Sequence, residues 1–160
     1  MVRTEISLFL KNVPGELGKL ASMLENDGIN IDALTIQDAS SYVKELFQAR
    51  GKSLKRIASV ASYNSMRKDS AQFALIRFLV DQTDKAIDLL SRNEYIFDIM
   101  PVIVVELENV PGALARMAVK LGEEGININY VYGSVSSTEA KCLFVFCPED
   151  IDLAAKVFKE

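Results

Sequence analysis

The stretch Leu10-Lys-Asn-Val-Pro-Gly-Glu-Leu17, closed by Gly28-Ile-Asn-Ile31, returns as Leu107-Glu-Asn-Val-Pro-Gly-Ala-Leu114, closed by Gly125-Ile-Asn-Ile128, without a gap and at a constant offset of 97. Between Leu10 and Leu34, 12 of 25 positions match their counterparts, so the chain reads as a duplicated unit. An alternating apolar run leads into each copy: Ile6, Leu8 and Leu10 in the first, Ile103, Val105 and Leu107 in the second. That is the period of a strand with one buried face. Pro14 and Pro111 break the runs and suit the first turn of a helix, where the fixed φ and the missing N–H cost nothing. Leu17, Leu20, Ala21 and Leu24, matched by Leu114, Met117, Ala118 and Leu121, fall at helical spacing and give each helix one apolar stripe. Gly28 and Gly125 stand where a helix ends in a left-handed residue, and Ile-Asn-Ile begins a second strand.

Outward from the first copy, residues 72–80 read as a strand, 83–91 as a helix capped by Thr83, and 95–100 as a further strand. The order is βαββαβ. With right-handed crossovers it gives an antiparallel sheet covered on one face by two helices, the ferredoxin-like arrangement of the α+β class. In the second copy residues 140–147 form the third strand, and Pro148 opens a helix striped by Ile151, Ala154, Ala155 and Phe158. The expected units are therefore residues 1–100, βαββαβ, and residues 101–160, βαββα, the second lacking its final strand and leaving a sheet edge that invites a partner. Only Met100-Pro101 separates the last strand of the first unit from the first strand of the second, so no flexible linker is expected and the units are rigidly related. Both third strands are apolar on both parities: Phe73, Leu75 and Leu79 alternate with Ala74, Ile76, Phe78 and Val80, and residues 143–146 are apolar throughout. Helices cover one face only, so the other is expected to pack against a second sheet, within the chain or in a homodimer.

The 160 residues are 49% hydrophobic and 25% charged, a globular composition, with a net charge of −4 that argues against nucleic acid as a dedicated partner. Histidine is absent. That removes the usual general base, the Ser-His and Cys-His nucleophilic pairs and the commonest zinc ligand, so no catalytic residue, metal or cofactor is expected. The paired carboxylates Glu123-Glu124 and Asp150 with Asp152 read as solvated helix positions. Cys142 and Cys147, five apart on one strand, face opposite sides and are expected to be buried, reduced thiols. No run approaches the roughly 20 apolar residues of a membrane span, and the first residues lack the pattern of a signal peptide, which points to a soluble cytoplasmic protein without a membrane partner.

Residues 39–69 have no counterpart in the second copy, where the same connection takes only residues 134–139. Lys44, Arg50, Lys52, Lys55, Arg56, Arg67 and Lys68 stand against Glu45 and Asp69, a net +5 that leaves −9 to the rest of the chain. Tyr42, Leu46 and Ala49, then Leu54, Ile57, Ala58 and Ala61, keep helical intervals, so the basic insertion reads as two short amphipathic helices hinged at Gly51. A solvated arm on its own domain, docking onto an acidic surface, and binding of phosphate or nucleic acid remain open readings for it.

Asn-Val-Pro-Gly followed by a helix and Gly-Ile-Asn-Ile, twice over, resembles a tandem pair of ACT domains, the small-molecule sensing modules of amino-acid metabolic enzymes. The resemblance implies a non-catalytic regulator that binds a free amino acid between the two units, near the first turn and the start of the second strand, and conveys its occupancy to a partner enzyme. A helix N-terminus exposes unpaired N–H groups and positive partial charge, so it can receive an α-carboxylate. An amide side chain donates and accepts at once, which suits a zwitterion. The positions implied are Asn12, Val13, Gly15, Leu17, Asn30 and Ile31 in the first copy, and Asn109, Val110, Gly112, Leu114, Asn127 and Ile128 in the second. The same asparagines also suit a plainer use, Asn12 and Asn109 as turn or cap residues and Asn30 and Asn127 as partners of loop backbone. Asp32 and Asn129, the next outward-facing positions, differ between the copies, which implies non-equivalent sites. Where some regulators of this family carry a histidine, the chain has Leu10 and Leu107, which leaves an apolar amino acid open as the ligand. The alternatives are a regulatory subunit like that of acetolactate synthase, and a transcriptional or RNA regulator using the basic insertion.

Overall fold

The computed structural model describes residues 1–38, 73–134 and 141–158. The basic insertion and its two expected helices lie outside the described residues. The elements run β1 (Val2–Lys11), α1 (Glu16–Asn26), β2 (Ile31–Asp38), β3 (Phe73–Val80), α2 (Thr83–Arg92), β4 (Phe97–Glu108), α3 (Ala113–Glu123), β5 (Ile128–Ser134), β6 (Lys141–Pro148) and α4 (Ile151–Val157). All six strands join one antiparallel sheet in the order β2-β3-β1-β4-β6-β5. This is the α+β class, built from a βαββαβ unit and a βαββα unit.

The two strands expected on either side of Met100-Pro101 are one. β4 runs through both residues, its first half pairing with β1 (Val2↔Ile103 to Leu8↔Phe97) and its second half with β6 (Ile103↔Phe146 to Glu108↔Lys141). A proline removes a ladder donor and is tolerated where the strand lacks a neighbour on that side. Val104 exchanges both of its backbone hydrogen bonds with Met1, at 2.8 Å each. Even-numbered residues of β4 therefore turn their backbone to β1, and odd-numbered Pro101 turns its missing N–H to the other side, where pairing with β6 begins only at Ile103. The Met1 contact also shows what stands beside the second unit where its own last strand would pair: the start of β1, as far as Val104.

Three clusters hold the described residues together. Ile6, Leu8 and Leu10 of β1 with Ile76, Phe78 and Val80 of β3 meet Leu20 and Leu24 of α1 and Ala86, Leu89 and Leu90 of α2. Ile103 and Phe146 meet Leu121 of α3 and Ala154 and Val157 of α4, with Phe146 packed against Phe158 at 5.7 Å between ring centroids. The third cluster is on the helix-free faces: Leu79 of β3, Val102 and Val104 of β4, and Val145 and Cys147 of β6, with Ala33 of β2 and Tyr130 and Tyr132 of β5 against them. Strands from opposite ends of the sheet order share this cluster, and the two edge strands, β2 and β5, touch. The sheet thus folds over on itself, and the second layer expected against the apolar outer face is the other half of the same chain. A fully buried aliphatic side chain contributes about 1.5–3 kcal/mol, so the four buried aliphatic members of this cluster alone bind the halves firmly.

All four helix starts differ from expectation. Pro14 and Pro111 precede the helices: Val13-Pro14-Gly15-Glu16 is a type II turn with Gly15 at φ 93° and ψ −15°, and Val110-Pro111-Gly112-Ala113 repeats it with Gly112 at φ 87° and ψ −7°. Positive φ at the third turn position is what demands glycine there. Thr83 is the first residue of α2 and caps nothing; Gln82 precedes it without a side-chain cap. Pro148 ends β6, and α4 starts later, capped by Asp150, whose Oδ1 accepts from the Leu153 N–H at 2.9 Å. The glycines expected to end α1 and α3 do adopt left-handed conformations, Gly28 at φ 66° and Gly125 at φ 70°. Both cysteines are free and buried.

Candidate functional site

The motif residues fall into two groups in each copy. The first is the turn. In it the Glu16 N–H donates to the Val13 carbonyl at 3.5 Å and the Ala113 N–H to the Val110 carbonyl at 3.2 Å, so one of the amides expected for a ligand is taken by the turn itself in each copy. Asn12, Val13 and Gly15 are exposed and Leu17 half-buried; Val110, Gly112 and Leu114 are exposed and Asn109 half-buried. The second group starts the second strand. Lys11 pairs with Phe73 at one end of β3 and Ile31 with Val80 at the other, so Asn12 and Asn30 stand at opposite ends of the sheet. Glu108↔Lys141 and Ile128↔Pro148 separate Asn109 from Asn127 in the same way. Within a copy, the fold does not bring turn and strand start together.

Asn30 is committed to its surroundings. Its backbone N–H donates to Asp81 Oδ1 at 2.9 Å, its carbonyl accepts from the Asp81 N–H at 3.1 Å, and its side chain lies 3.4 Å from Asp32 Oδ1. Asp32 in turn holds Arg3 at 2.6 Å, and Arg3 also donates to the Val80 carbonyl at 2.7 Å. In the second copy the Asn127 carbonyl accepts from the Glu149 N–H at 2.9 Å, and Asn127 lines a surface hollow of about 500 Å³ with Asp150 and Ile151. A bulge interrupts the pairing at the same place in both copies, between Ile31 and Ala33 and between Ile128 and Tyr130. The residue inside it is Asp32 in one and Asn129 in the other. Bulges re-aim side chains, and here the two re-aimed residues meet different surroundings: Asp32 meets Arg3, whereas Asn129 faces a cleft between the copies.

That cleft, of about 870 Å³, is bounded by Phe9, Leu75 and Arg77 of the first copy's helix-free face, by Ile96, Phe97, Asp98 and Met100 at the start of β4, and by Asn129 and Tyr130 of β5. None of the twelve motif positions lines it. At its inner end lies a polar knot. Glu5 is 1% exposed; the Tyr130 hydroxyl donates to its Oε1 at 2.5 Å and the Tyr132 hydroxyl to its Oε2 at 2.7 Å. Arg77 stacks on the Tyr130 ring at 4.2 Å and approaches Glu5 only to 4.0 Å. Burial, then the bond to Glu5, holds both tyrosines well above the ordinary value of 10.0, so they stay protonated donors. Sequence reasoning missed Glu5, Arg77, Tyr130 and Tyr132. The available signal was Arg77, the one charge in the otherwise apolar residues 73–80.

Among the described residues no cluster of acidic or cysteine side chains could hold a metal ion, and no helix is long and apolar enough to cross a membrane. No curated protein matches the chain. A crystal structure of a protein from Bacteroides thetaiotaomicron superposes with a TM-score of 0.72 at 28% identity, over 99% of this chain and 88% of that one. The ligand-free regulatory subunit of aspartate kinase from Thermus thermophilus superposes with a TM-score of 0.55 at 13% identity, over 99% and 95% of the two chains. The corresponding subunit from Thermus flavus gives 0.53 at 13% identity, over 99% and 94%. At such identity the two subunits show a shared fold. Residues 101–160 match the family model of the ACT domain, the family whose motif the duplicated Val-Pro-Gly stretch resembles.

Proposed function

We propose that the protein is a non-catalytic cytoplasmic regulator that binds a free amino acid between its two copies and reports occupancy to an enzyme of amino-acid metabolism. One observation carries this reading: two copies of one motif pack helix-free face to helix-free face and leave a cleft open to solvent between them. The ACT-domain match to the second copy supports a sensing module, and the aspartate kinase regulatory subunits supply a precedent of like fold for an enzyme listening to such a chain. A ligand in the cleft touches β1, β3, β4 and β5 at once, and so favours one relative packing of the halves; the shift it can produce is bounded by its differential affinity for the two packings. The motif positions that the family resemblance offers, Asn12, Asn30, Asn109 and Asn127 foremost, lie outside this cleft and are the competing location for the same ligand.

A thermal-unfolding screen of the chain against the twenty amino acids at millimolar concentration tests the reading. A ligand at about 100 times its dissociation constant adds about 2.7 kcal/mol, which raises the midpoint by several degrees in a chain of this size. One such shift is the expected result, and twenty flat curves would overturn the amino-acid reading.

A further inference from the structure

The helix-free face of the first copy presents two cross-strand rows side by side inside the cleft. Ser7 of β1 is the register partner of Arg77 on β3 and of Asp98 on β4, so a cation, a hydroxyl and an anion stand in line on one face. Next to them Phe9 pairs with Leu75, and Ile96 lies just before β4, an apolar row with Phe9 46% and Ile96 91% exposed. Neighbouring residues across strands are about 4.5–5.5 Å apart. Arg77 and Asp98, one strand removed from each other, make no ion pair among the described residues.

Arg77 is also short of acceptors. Its side chain is 15% exposed, and the nearest carboxylate, Glu5, lies 4.0 Å away with each oxygen already receiving a tyrosine hydroxyl. Among the described residues the guanidinium makes no hydrogen bond, although it carries five donors. Asp98 uses one oxygen on the Ile99 N–H at 2.9 Å. A guanidinium paired with Glu5 only at 4.0 Å, and making no hydrogen bond among the described residues, has donors left for a second carboxylate, which it can hold with two parallel hydrogen bonds. A carboxylate on the same row calls for an ammonium, and the adjacent apolar row for an apolar side chain.

Resting on the sensor reading above, we infer that this cleft seats the ligand and that the ligand is an amino acid with an apolar side chain. Its carboxylate lies on Arg77, its ammonium on Asp98 and its side chain over Phe9, Leu75 and Ile96. Asn129, re-aimed by its bulge, closes the site from the other copy, so occupancy is sensed by both halves.

Calorimetric titration of the full chain separates the possibilities, with L-leucine, L-methionine, L-phenylalanine, L-serine and L-aspartate as probes, together with 4-methylpentanoate, which lacks leucine's ammonium, and 3-methylbutylamine, which lacks its carboxylate. The expected result is binding of the apolar amino acids at least tenfold tighter than of serine or aspartate. Asp98→Asn then weakens leucine at least tenfold and leaves 4-methylpentanoate unchanged, whereas Arg77→Gln weakens both. Asp98 is at the surface, and an unchanged melting curve for Asp98→Asn shows that the fold is intact. Leucine affinity unmoved by Asp98→Asn but abolished by Asn30→Ala with Asn127→Ala would overturn the inference and leave the sensor reading standing. Tighter binding of serine or aspartate would overturn the ligand class. Failure of every probe, together with twenty flat melting curves, would overturn the sensor reading itself.

Discussion

The two copies share a frame and differ at the surface where they meet. Glu5 in the first copy corresponds to Val102 in the second, and Tyr130 and Tyr132 in the second correspond to Ala33 and Thr35 in the first. Arg77 is paired with Ser7, and the residue paired with Val104, the counterpart of Ser7, is Val145. Face-to-face packing of a duplicated unit creates two contact regions that begin as equivalents. Here one has become a buried acid held by two phenols and faced by an arginine, and the other has remained aliphatic. Two copies of one motif therefore present unlike contact regions, and the polar one is flanked by the start of β4, a strand segment for which the second unit has no counterpart of its own. Duplication supplied the scaffold, and divergence at a few inward positions made it a heterodimer within one chain.

The two contact regions are told apart most strongly when the second copy is given the first copy's acid. Val102 is fully buried, and the residues that correspond to the two phenols are Ala33 and Thr35. Val102→Glu is expected to cost more than about 3–5 kcal/mol, the range for an uncompensated buried charge, and to leave little folded protein in a urea titration. Removing the acid where it belongs costs somewhat less. Glu5→Ala strands two tyrosine hydroxyls and Arg77, an expected loss of about 3 kcal/mol by the same titration. Glu5→Val with Arg77→Val, which rebuilds the second copy's aliphatic version, is expected to recover part of that loss; a double variant as unstable as Glu5→Ala would show that the two regions are not interchangeable.

The smallest effect concerns alkaline pH. Tyr130 and Tyr132 have folded-state values raised above the ordinary 10.0, so above that pH the unfolded chain loses protons that the folded chain keeps. Their stabilising effect is therefore complete below about pH 10 and is lost progressively as pH rises beyond it. The melting temperature of the wild type should fall over that range more steeply than that of the Tyr130→Phe, Tyr132→Phe variant.

The repeat made most of the fold legible. Its identical prolines and glycines mark the same turns twice, and its apolar stripes at helical and strand periods named both helical cores and foretold a second layer against the outer face. The joint at Met100-Pro101 was misread because a proline between two apolar runs signals a break, and only the sheet order shows that β4 lacks a neighbour on the side where the proline has no donor. Thr83 lies one residue past the true cap position, within the usual latitude of helix ends, whereas Pro148 precedes the first residue of α4 by three. The polar knot was beyond reach for a different reason. Glu5 and Tyr130 are 125 residues apart, and nothing local to either announces the other. A lone arginine in an apolar strand says that some partner exists; which one it is depends on how the sheet folds over.

β4 gives this architecture a mechanical character. Twelve residues at about 3.3 Å each make a rod of about 40 Å that begins at the cleft, beside Asp98, and ends at Glu108, next to the second Val-Pro-Gly turn. A conventional two-domain sensor opens and shuts about a joint. Here the backbone is clamped by β1 along one stretch and by β6 along the next, so it has no joint to bend. The two halves are therefore joined by an unbroken, hydrogen-bonded strand, a far stiffer coupling than a linker.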